Sequence, residues 1–236
     1  MKILSVECSA TPCSAAIIED GKVLSSGFVN VKMTHSQTLM PMIEAVLKSA
    51  LTDIKDIDGF AVSAGPGSFT GIRIGISAVK GLAAAKKLPC VGVSTLRAMA
   101  ENYSDTDCLV CAVMDARCNQ VYNALFDISG GVITRVCEDR ALLCGELKAE
   151  IENYCLNNEK RVIIVGDGTQ VFYPFVKEIQ NVFEACEQRR YQNAVGVGIA
   201  AADDFKNEKT ISPEELLPIY LRLPQAEREL KLKKEN

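Results

Sequence analysis

The chain has 236 residues, of which 48% are hydrophobic, and a formal net charge of −4 at neutral pH. This composition predicts a folded globular protein of one large domain or two lobes, and the acidic balance argues against a strong autonomous grip on nucleic acid. No apolar run is long enough to span a membrane, and the first residues lead directly into a predicted strand rather than a signal peptide.

The first hundred residues predict the element order βββαβαβα. Apolar segments separated by tight turns predict an antiparallel meander, and helices of period 3.6 then alternate with further apolar strands. The predicted elements are strands 2–8, 13–19 and 22–31, helix 37–51, strand 59–64, helix 71–86, strand 90–93 and helix 95–103. Three antiparallel strands extended by parallel ones form the ribonuclease H-like layout, the building block of actin-like and sugar-kinase-like phosphotransferases.

A glycine-rich loop at residues 63–75 leads from a strand into a helix, a layout that favours phosphate binding. The spacing, however, fits neither common nucleotide motif. The loop has no Gly-Lys pair, and Gly65, Gly67 and Gly71 read Gly-x-Gly-x-x-x-Gly rather than the dinucleotide pattern. The alternative interpretation is a tight turn followed by a helix capped by Ser68 or Thr70.

The helix after this loop is rich in small residues and apolar on two faces. Ile72, Ile76 and Val79 lie on one face, while Ile74, Ala78 and Leu82 lie on another. Such a helix is either central in its own domain or shared with a partner.

A polar break at residues 104–107 predicts a lobe boundary. Beyond it, the predicted elements are strands 108–114, 120–128 and 132–138, helix 144–157, strand 161–165 and helices 170–180, 192–205 and 212–217. They read as a reduced duplicate of the first half, followed by a C-terminal segment. We therefore predict a first lobe over residues 1–105, a second over 106–190, and a helical segment over 191–236 that returns toward the first lobe and ends in a solvated, mixed-charge tail at 227–236.

Ten cysteines are scattered through apolar segments, which indicates reduced thiols and a cytoplasmic location rather than a disulfide framework. Cys108 and Cys111 have CxxC spacing but lie in a predicted strand, where two thiols do not converge on a metal. The one histidine, His35, is interpreted as a helix-start cap or core residue rather than a ligand. We therefore predict no metal site.

Motifs along nearly the whole chain resemble the bacterial TsaB (YeaZ) family of tRNA threonylcarbamoyladenosine biosynthesis. The segments that carry the resemblance are 3–9, His35-Ser36 with Leu39 and Pro41, 63–75, 113–117 with 121–122, 166–168 and 218–222. The resemblance implies an α/β, actin-like fold of the ASKHA superfamily, with two βββαβα-type lobes of which the second is reduced.

The resemblance also implies a non-catalytic scaffold without catalytic residues of its own. The larger relative, TsaD, transfers the threonylcarbamoyl group to adenosine 37 of ANN-decoding tRNAs, and TsaB-like proteins dimerise with it through helices of the first lobe. We therefore expect TsaD, the ATPase TsaE and, through their complex, tRNA as partners, and a homodimer when the chain is alone. We expect no cofactor to be tightly bound by the chain alone, and whether ATP or ADP lodges at the complex interface stays open.

The implied docking surface belongs to the helices predicted at 37–51 and 71–86. Its predicted residues are Leu39, Met42, Ile43, Val46, Arg73, Ile74, Gly75, Ala78 and Leu82. We expect a bulky residue at Gly75 or Ala78 to block association while the lobe stays folded.

A second set of residues is expected near a nucleotide or between the lobes. Its members are Glu7, Ser9, Gly65, Gly67, Ser68, Thr70, Asp115 and Arg117. Glu7 stands where actin-like enzymes place an acidic residue for a metal-bound nucleotide, although hydrogen bonding within its own hairpin is the alternative. For Asp115 and Arg117 we predict an ion pair that braces the hinge, with substrate contact as the alternative.

One segment supports the missing catalysis. TsaD-like enzymes carry His-Met-x-Gly-His after the strand that matches 90–93, whereas this chain has Thr95-Leu-Arg-Ala-Met99. Thr and Met do not replace two imidazole ligands at such a metal site, and a single histidine excludes zinc-peptidase chemistry of the His-Glu-x-x-His type. The alternative function is an autonomous actin-like ATPase or phosphotransferase.

Overall fold

A computed structural model describes residues 1–222, so the predicted charged tail at 227–236 lies outside the described residues. Two β-sheets, each flanked by helices, form two lobes. The described helices are α1 (His35–Ser49), α2 (Phe69–Ala84), α3 (Thr95–Ala100), α4 (Cys144–Asn157), α5 (Thr169–Val176), α6 (Glu187–Arg190) and α7 (Ala194–Lys206).

The first lobe is built on a five-stranded sheet. Its strands are β1 (Lys2–Glu7), β2 (Cys13–Glu19), β3 (Lys22–Val29), β4 (Gly59–Gly65) and β5 (Cys90–Ser94), in the spatial order β3-β2-β1-β4-β5. β1 pairs antiparallel with β2 and parallel with β4. β1, β2 and β4 are buried nearly throughout, whereas the edge strand β3 is exposed or half-exposed along its length. Central strands with apolar residues on both faces require helices on both sides of the sheet.

Those helices divide between the two faces. α1 and α2 pack on the face that carries Leu4 and Val6. α7 packs on the opposite face, which carries Ile3 and Ala61. The buried side of α2 includes Gly71, Ile72, Gly75, Ile76, Val79 and Ala83. The chain's last described helix therefore completes the core of its first lobe.

The second lobe repeats this topology in a smaller form. Its strands are β6 (Cys108–Arg117), β7 (Gln120–Ser129), β8 (Val132–Arg135), β9 (Arg140–Leu143), β10 (Val162–Val165) and β11 (Val182–Glu184), in the order β11-β10-β6-β7-β8 with β9 paired to β7. β6 pairs antiparallel with β7 and parallel with β10, as β1 does with β2 and β4. α5 has 8 residues where the corresponding α2 has 16. The prediction of an actin-like fold with a reduced second lobe is confirmed.

The prediction of a helix at residues 212–217 is wrong. Residues 213–215 form only a turn, in which Ser212 N–H donates to the Glu215 carboxylate at 2.9 Å. Pro213 begins the turn and Pro218 follows it, and Pro218 has no N–H with which to continue a helix. We call residues 211–222 the C-terminal strap: it bridges to Cys90 through Ile211 and buries Leu216 in the first-lobe core.

Smaller differences concern short elements. β8 ends at Arg135 and α5 at Val176, before the predicted ends at 138 and 180, while β9, β11 and α6 were not predicted. Each of the three missed elements has three or four residues, too few to show a hydrophobic period.

Cys108 and Cys111 lie on opposite faces of β6, in two different apolar clusters, so their CxxC spacing does not bring the thiols together. All ten cysteines are free. Within residues 1–222, no helix combines the length and hydrophobicity needed to cross a bilayer.

Candidate functional site

A cleft of about 600 Å³ opens between the lobes. The loop after β1 reaches it from the first lobe, and the end of β6 reaches it from the second, which are equivalent places in the repeated topology. Among the residues predicted for this region, those that line the cleft are Ser9, Gly67, Ser68, Asp115 and Arg117. Parallel strands bring their carboxyl ends to one edge of a sheet, and the two sheets place those edges face to face.

Glu7 lies buried behind the cleft. Its carboxylate accepts hydrogen bonds from the Ser63 hydroxyl and from the Ser9 backbone N–H. Burial raises the pKa of Glu7, and these hydrogen bonds offset part of the rise. Both carboxylate oxygens are thus used by the chain itself, which favours the hairpin interpretation of this residue.

The glycine-rich loop is a close-packed turn into α2. The Ser68 hydroxyl accepts from Gly71 N–H at 3.3 Å, so Ser68 is the N-cap, and Ser68 N–H donates to the Ser9 carbonyl at 2.6 Å. A Cβ at Gly67 would overlap the Ser9 carbonyl oxygen. Gly65 and Thr70 are not among the residues that line the cleft: Gly65 is covered by the Ile219 backbone, and Thr70 is exposed on the first turn of α2.

Asp167 is a titratable cleft residue that was not among the predicted site residues; Lys32, Thr34 and Tyr122 also line the cleft. Asp167 follows β10 between two glycines, and burial raises its pKa to about 6. The side-chain amide of Gln192 lies close enough to offset part of this rise. A glycine-flanked acid directly after a buried strand was the available sequence signal.

Asp115 and Arg117 form a local pair rather than a brace between the lobes. Arg117 N–H donates to Asp115 Oδ1 at 2.7 Å, and the exposed guanidinium lies 3.4 Å from Oδ2. Arg117 and the next residue, Cys118, both have left-handed φ, at 67° and 56°, a conformation that is unfavourable for side chains of this kind. The hinge is tied instead by Arg222 of the C-terminal strap, which donates to the Ala116 carbonyl at 2.6 Å.

His35 begins α1 and is half-exposed beside the cleft. Its Nε2 lies 3.3 Å from the carbonyl oxygen of Pro12. This contact ties the start of α1 to the loop between β1 and β2. His35 is neither the cap of α1, which is Thr34, nor a buried core residue, so neither predicted structural role is the one observed.

Several residues predicted for the docking surface are not accessible to a partner. Leu39, Ile43, Val46 and Gly75 are buried in the core of their own lobe. A Cβ at Gly75 would lie 3.2 Å from the side chain of Val62, so this glycine makes room for the chain's own sheet. The expectation that a bulky residue at Gly75 leaves the lobe folded is therefore wrong.

The accessible part of that surface is an apolar stripe on α2. Ile74, Ala78 and Leu82 recur at every fourth residue and are half-exposed, as is Met42 on α1. Met40 is 46% exposed. We call Ile74, Ala78 and Leu82 the helical stripe, and partner binding by it stays a prediction. Met42 packs instead beside Gly27 of the edge strand β3.

Arg73 lies on another side of α2, under the C-terminal strap. Its guanidinium stacks on the Phe69 ring at 3.9 Å, and its Nε donates to the Tyr220 hydroxyl at 2.8 Å. Phe69 and Tyr220 also stack, with ring centroids 4.7 Å apart. Arg73 is thus engaged by its own chain.

The place of the two family histidines is apolar. Thr95 and Met99 are buried at the start of α3, and Met99 packs near Gly166. Among residues 1–222, no three His, Cys, Asp or Glu side chains converge in a way that could hold a metal ion.

Comparisons with known proteins agree on one family. The family model described as TsaD, tRNA N6-adenosine threonylcarbamoyltransferase, matches residues 29–230. The Escherichia coli K12 protein named tRNA threonylcarbamoyladenosine biosynthesis protein TsaB is 34% identical over 94% of this chain and 95% of its own length. The Bacillus subtilis protein of the same name is 26% identical over 96% of each chain.

Solved structures show the same fold. YeaZ from Pseudomonas aeruginosa matches with a TM-score of 0.78 and 24% identity over 93% of this chain and 99% of its own. Component A of (R)-2-hydroxyglutaryl-CoA dehydratase from Acidaminococcus fermentans matches with a TM-score of 0.52 and 13% identity over 86% of this chain and 98% of its own.

Proposed function

Because the chain belongs to the TsaB family of tRNA threonylcarbamoyladenosine biosynthesis proteins, we propose that it is a non-catalytic scaffold subunit that docks onto and activates the TsaD transferase. The observation that carries the proposal is the helical stripe, which leaves a row of apolar side chains of α2 partly open to solvent in the described part of the chain. A row of exposed apolar side chains on one side of a helix is suited to an interface.

The composition of the stripe supports docking by another helix. Ala78 lies at its centre between two larger side chains, and the adjacent Gly81 has open space where a Cβ would be. Small residues at this spacing let a second helix approach closely. When TsaD is absent, the same stripe favours a homodimer, since an isologous contact would cover it on both copies.

The start of α3 supports the absence of catalysis. Thr95 and Met99 replace two histidines of the transferase motif; both are buried, and Met99 packs in an apolar cluster. In our proposal the transferase chemistry therefore resides in TsaD, and TsaE and tRNA are engaged through the complex.

Substitution of Ala78 by Arg tests the docking surface. A long cation in the middle of an apolar interface should weaken binding to TsaD by at least about tenfold, or 1.4 kcal/mol, because the charge would be buried without a partner. Ala149→Arg, at an exposed position of α4, is the matched control and should bind normally. Equal affinity of both variants for TsaD, measured by calorimetry, would count against the helical stripe as the interface.

A reconstitution assay tests the scaffold role itself. The purified chain should form no threonylcarbamoyladenosine on tRNA when TsaD is omitted, and adding it to TsaD should raise product formation. Product from the chain alone would refute a non-catalytic role.

A second candidate function is suggested by the cleft. Ser9 and Ser68 line the cleft beside the N-terminus of α2, where a phosphate group would be favourable. ATP or ADP held there at a complex interface is one alternative, and turnover by an autonomous ATPase is the other. Nucleotide bound only when TsaD is present supports the first, whereas ATP turnover by the isolated chain that Ser9→Ala abolishes supports the second.

A further inference from the structure

We propose that Cys8 and Cys13 form a reversible disulfide that repositions the first turn of α2. The two thiols face each other across the hairpin of β1 and β2, with their Sγ atoms 3.7 Å apart. The register pairs Glu7 with Ser14, so Cys8 and Cys13 are the next opposed pair. Only the four residues 9–12 separate them along the chain.

The geometry asks for little movement. A disulfide requires an Sγ–Sγ distance of about 2.05 Å, so the sulfur atoms must approach each other by roughly 1.7 Å. Cross-strand neighbours have Cβ atoms about 4.5–5.5 Å apart, against about 3.5–4.5 Å in a disulfide, so the two Cβ atoms must also approach by about 1 Å. The loop at 9–12 borders the cleft, which gives the hairpin end room to adjust.

The thiols also differ in reactivity. The hydrogen bond between them raises the pKa of Cys8 and lowers the pKa of Cys13. Since the thiolate is the nucleophile, Cys13 is the sulfur that reacts first and Cys8 is the one that resolves the product.

A small hydroperoxide is the oxidant that suits two buried sulfurs. The Cys13 thiolate attacks one peroxide oxygen and the O–O bond breaks, which gives a sulfenic acid and, after protonation, water. The Cys8 sulfur then attacks the sulfenic sulfur, the S–O bond breaks and a second water leaves. In total, two thiols and hydrogen peroxide give one disulfide and two waters, and an added dithiol reverses the oxidation.

Cys8 is mechanically coupled to α2. A Cβ at Gly71 would overlap the Cys8 carbonyl oxygen, and one at Gly75 would lie 3.5 Å from the Cys8 Cβ. The next residue, Ser9, accepts the Ser68 N–H at 2.6 Å. Movement of Cys8 therefore displaces the N-terminus of α2, the helix that carries the helical stripe. This displacement should change the affinity for TsaD, a consequence that rests on the proposed function.

Mass spectrometry tests the disulfide directly. The full chain is treated with hydrogen peroxide, remaining thiols are alkylated, and trypsin releases residues 3–22, a peptide that contains both cysteines and no internal Lys or Arg. We expect this peptide to lose about 2 Da and to escape alkylation, and to recover both alkylations after prior reduction. The exposed Cys118 and Cys186 report in the same sample that the oxidant has acted. Full alkylation of both cysteines in peptide 3–22 while Cys118 and Cys186 are oxidised would overturn the proposal.

Hydrogen exchange tests the coupling. Oxidation should change amide protection over residues 66–72 at least about twofold in the wild type and leave Cys8→Ser unchanged. A disulfide that forms without this change would overturn the effect on α2. Binding to TsaD is then measured for both redox forms: failure of the reduced form to bind refutes the proposed docking and leaves the disulfide result standing, whereas equal binding by both forms refutes only the redox control of docking.

Discussion

The two lobes share one strand topology but differ in what their outer helices present. In the first lobe, α1 and α2 carry half-exposed apolar side chains such as Ile74 and Leu82. In the second, the corresponding α4 carries a Lys148–Glu152 ion pair at 3.4 Å and Glu150 bound to Arg140. Charged pairs of this type are typical of a solvated helix face. The two lobes thus differ in the charged pairs that α4 adds, although Leu156 of α4 is also 84% exposed, whereas the accessible side of α2 is a row of half-exposed apolar side chains.

The loops that reach the cleft also differ between the two lobes. The loop after β4 packs on the first hairpin and is covered by the C-terminal strap at Gly65. The equivalent loop after β10 carries Asp167 into the cleft. The first lobe therefore uses this loop for packing, while the second uses it to place a titratable group.

The sharpest test of this difference is the packing of α2 on β1. Gly71→Ala should destabilise the protein by about 3 kcal/mol, because its Cβ would overlap the Cys8 carbonyl. Gly81→Ala, in the same helix with open space around it, should instead stabilise by about 0.5 to 1 kcal/mol. Urea unfolding measures both, and similar midpoints for the two variants would show that α2 is not packed against β1 in this way.

The second test concerns Asp167. Its pKa is raised to about 6 by burial, so the folded state holds a proton that the unfolded state releases near pH 4, and stability falls as pH rises through that window. Asp167→Asn should remove this loss, stabilising the protein by about 3 kcal/mol at pH 7 and by almost nothing below pH 4. Urea unfolding of both proteins from pH 4 to 7 gives the comparison; a constant difference across that range would contradict a shifted carboxyl.

The smallest expected effect concerns the strap. Tyr220→Phe loses the hydrogen bond from Arg73 at a partly exposed site and should cost about 0.5 kcal/mol. Tyr220→Ala also loses the stack on Phe69 and should cost about 1 kcal/mol more. Thermal unfolding measures the loss of stability in both variants, and equal losses would mean that the stack contributes nothing.

The elements with strong local signals were predictable from sequence. The bounds of α4 agree with the prediction, and Ser68, one of the two predicted caps, caps α2. The orientation of α2 was not predictable in full. Gly75 lies on a helix that is apolar on two faces, and periodicity does not say which face meets the chain's own sheet.

The missed residues depend on distant parts of the chain. Asp167 acquires its buried environment from the first lobe and from Gln192, which no local pattern encodes. The strap resembles a helix start because Ser212 is followed three residues later by Glu215, but this pair forms only one turn here.

The position of α7 has a consequence for synthesis on the ribosome. Ser5 of β1 donates to the Ala194 carbonyl at 2.7 Å, and Ser14 of β2 accepts from the Ala194 N–H at 2.8 Å. The first strands to emerge therefore lack part of their core until α7 (residues 194–206) has been translated, whereas β6 to β11 can pair once residue 184 has been translated. The later-made lobe can thus finish folding before the earlier one, and the nascent N-terminal sheet must stay protected from misassembly in the meantime.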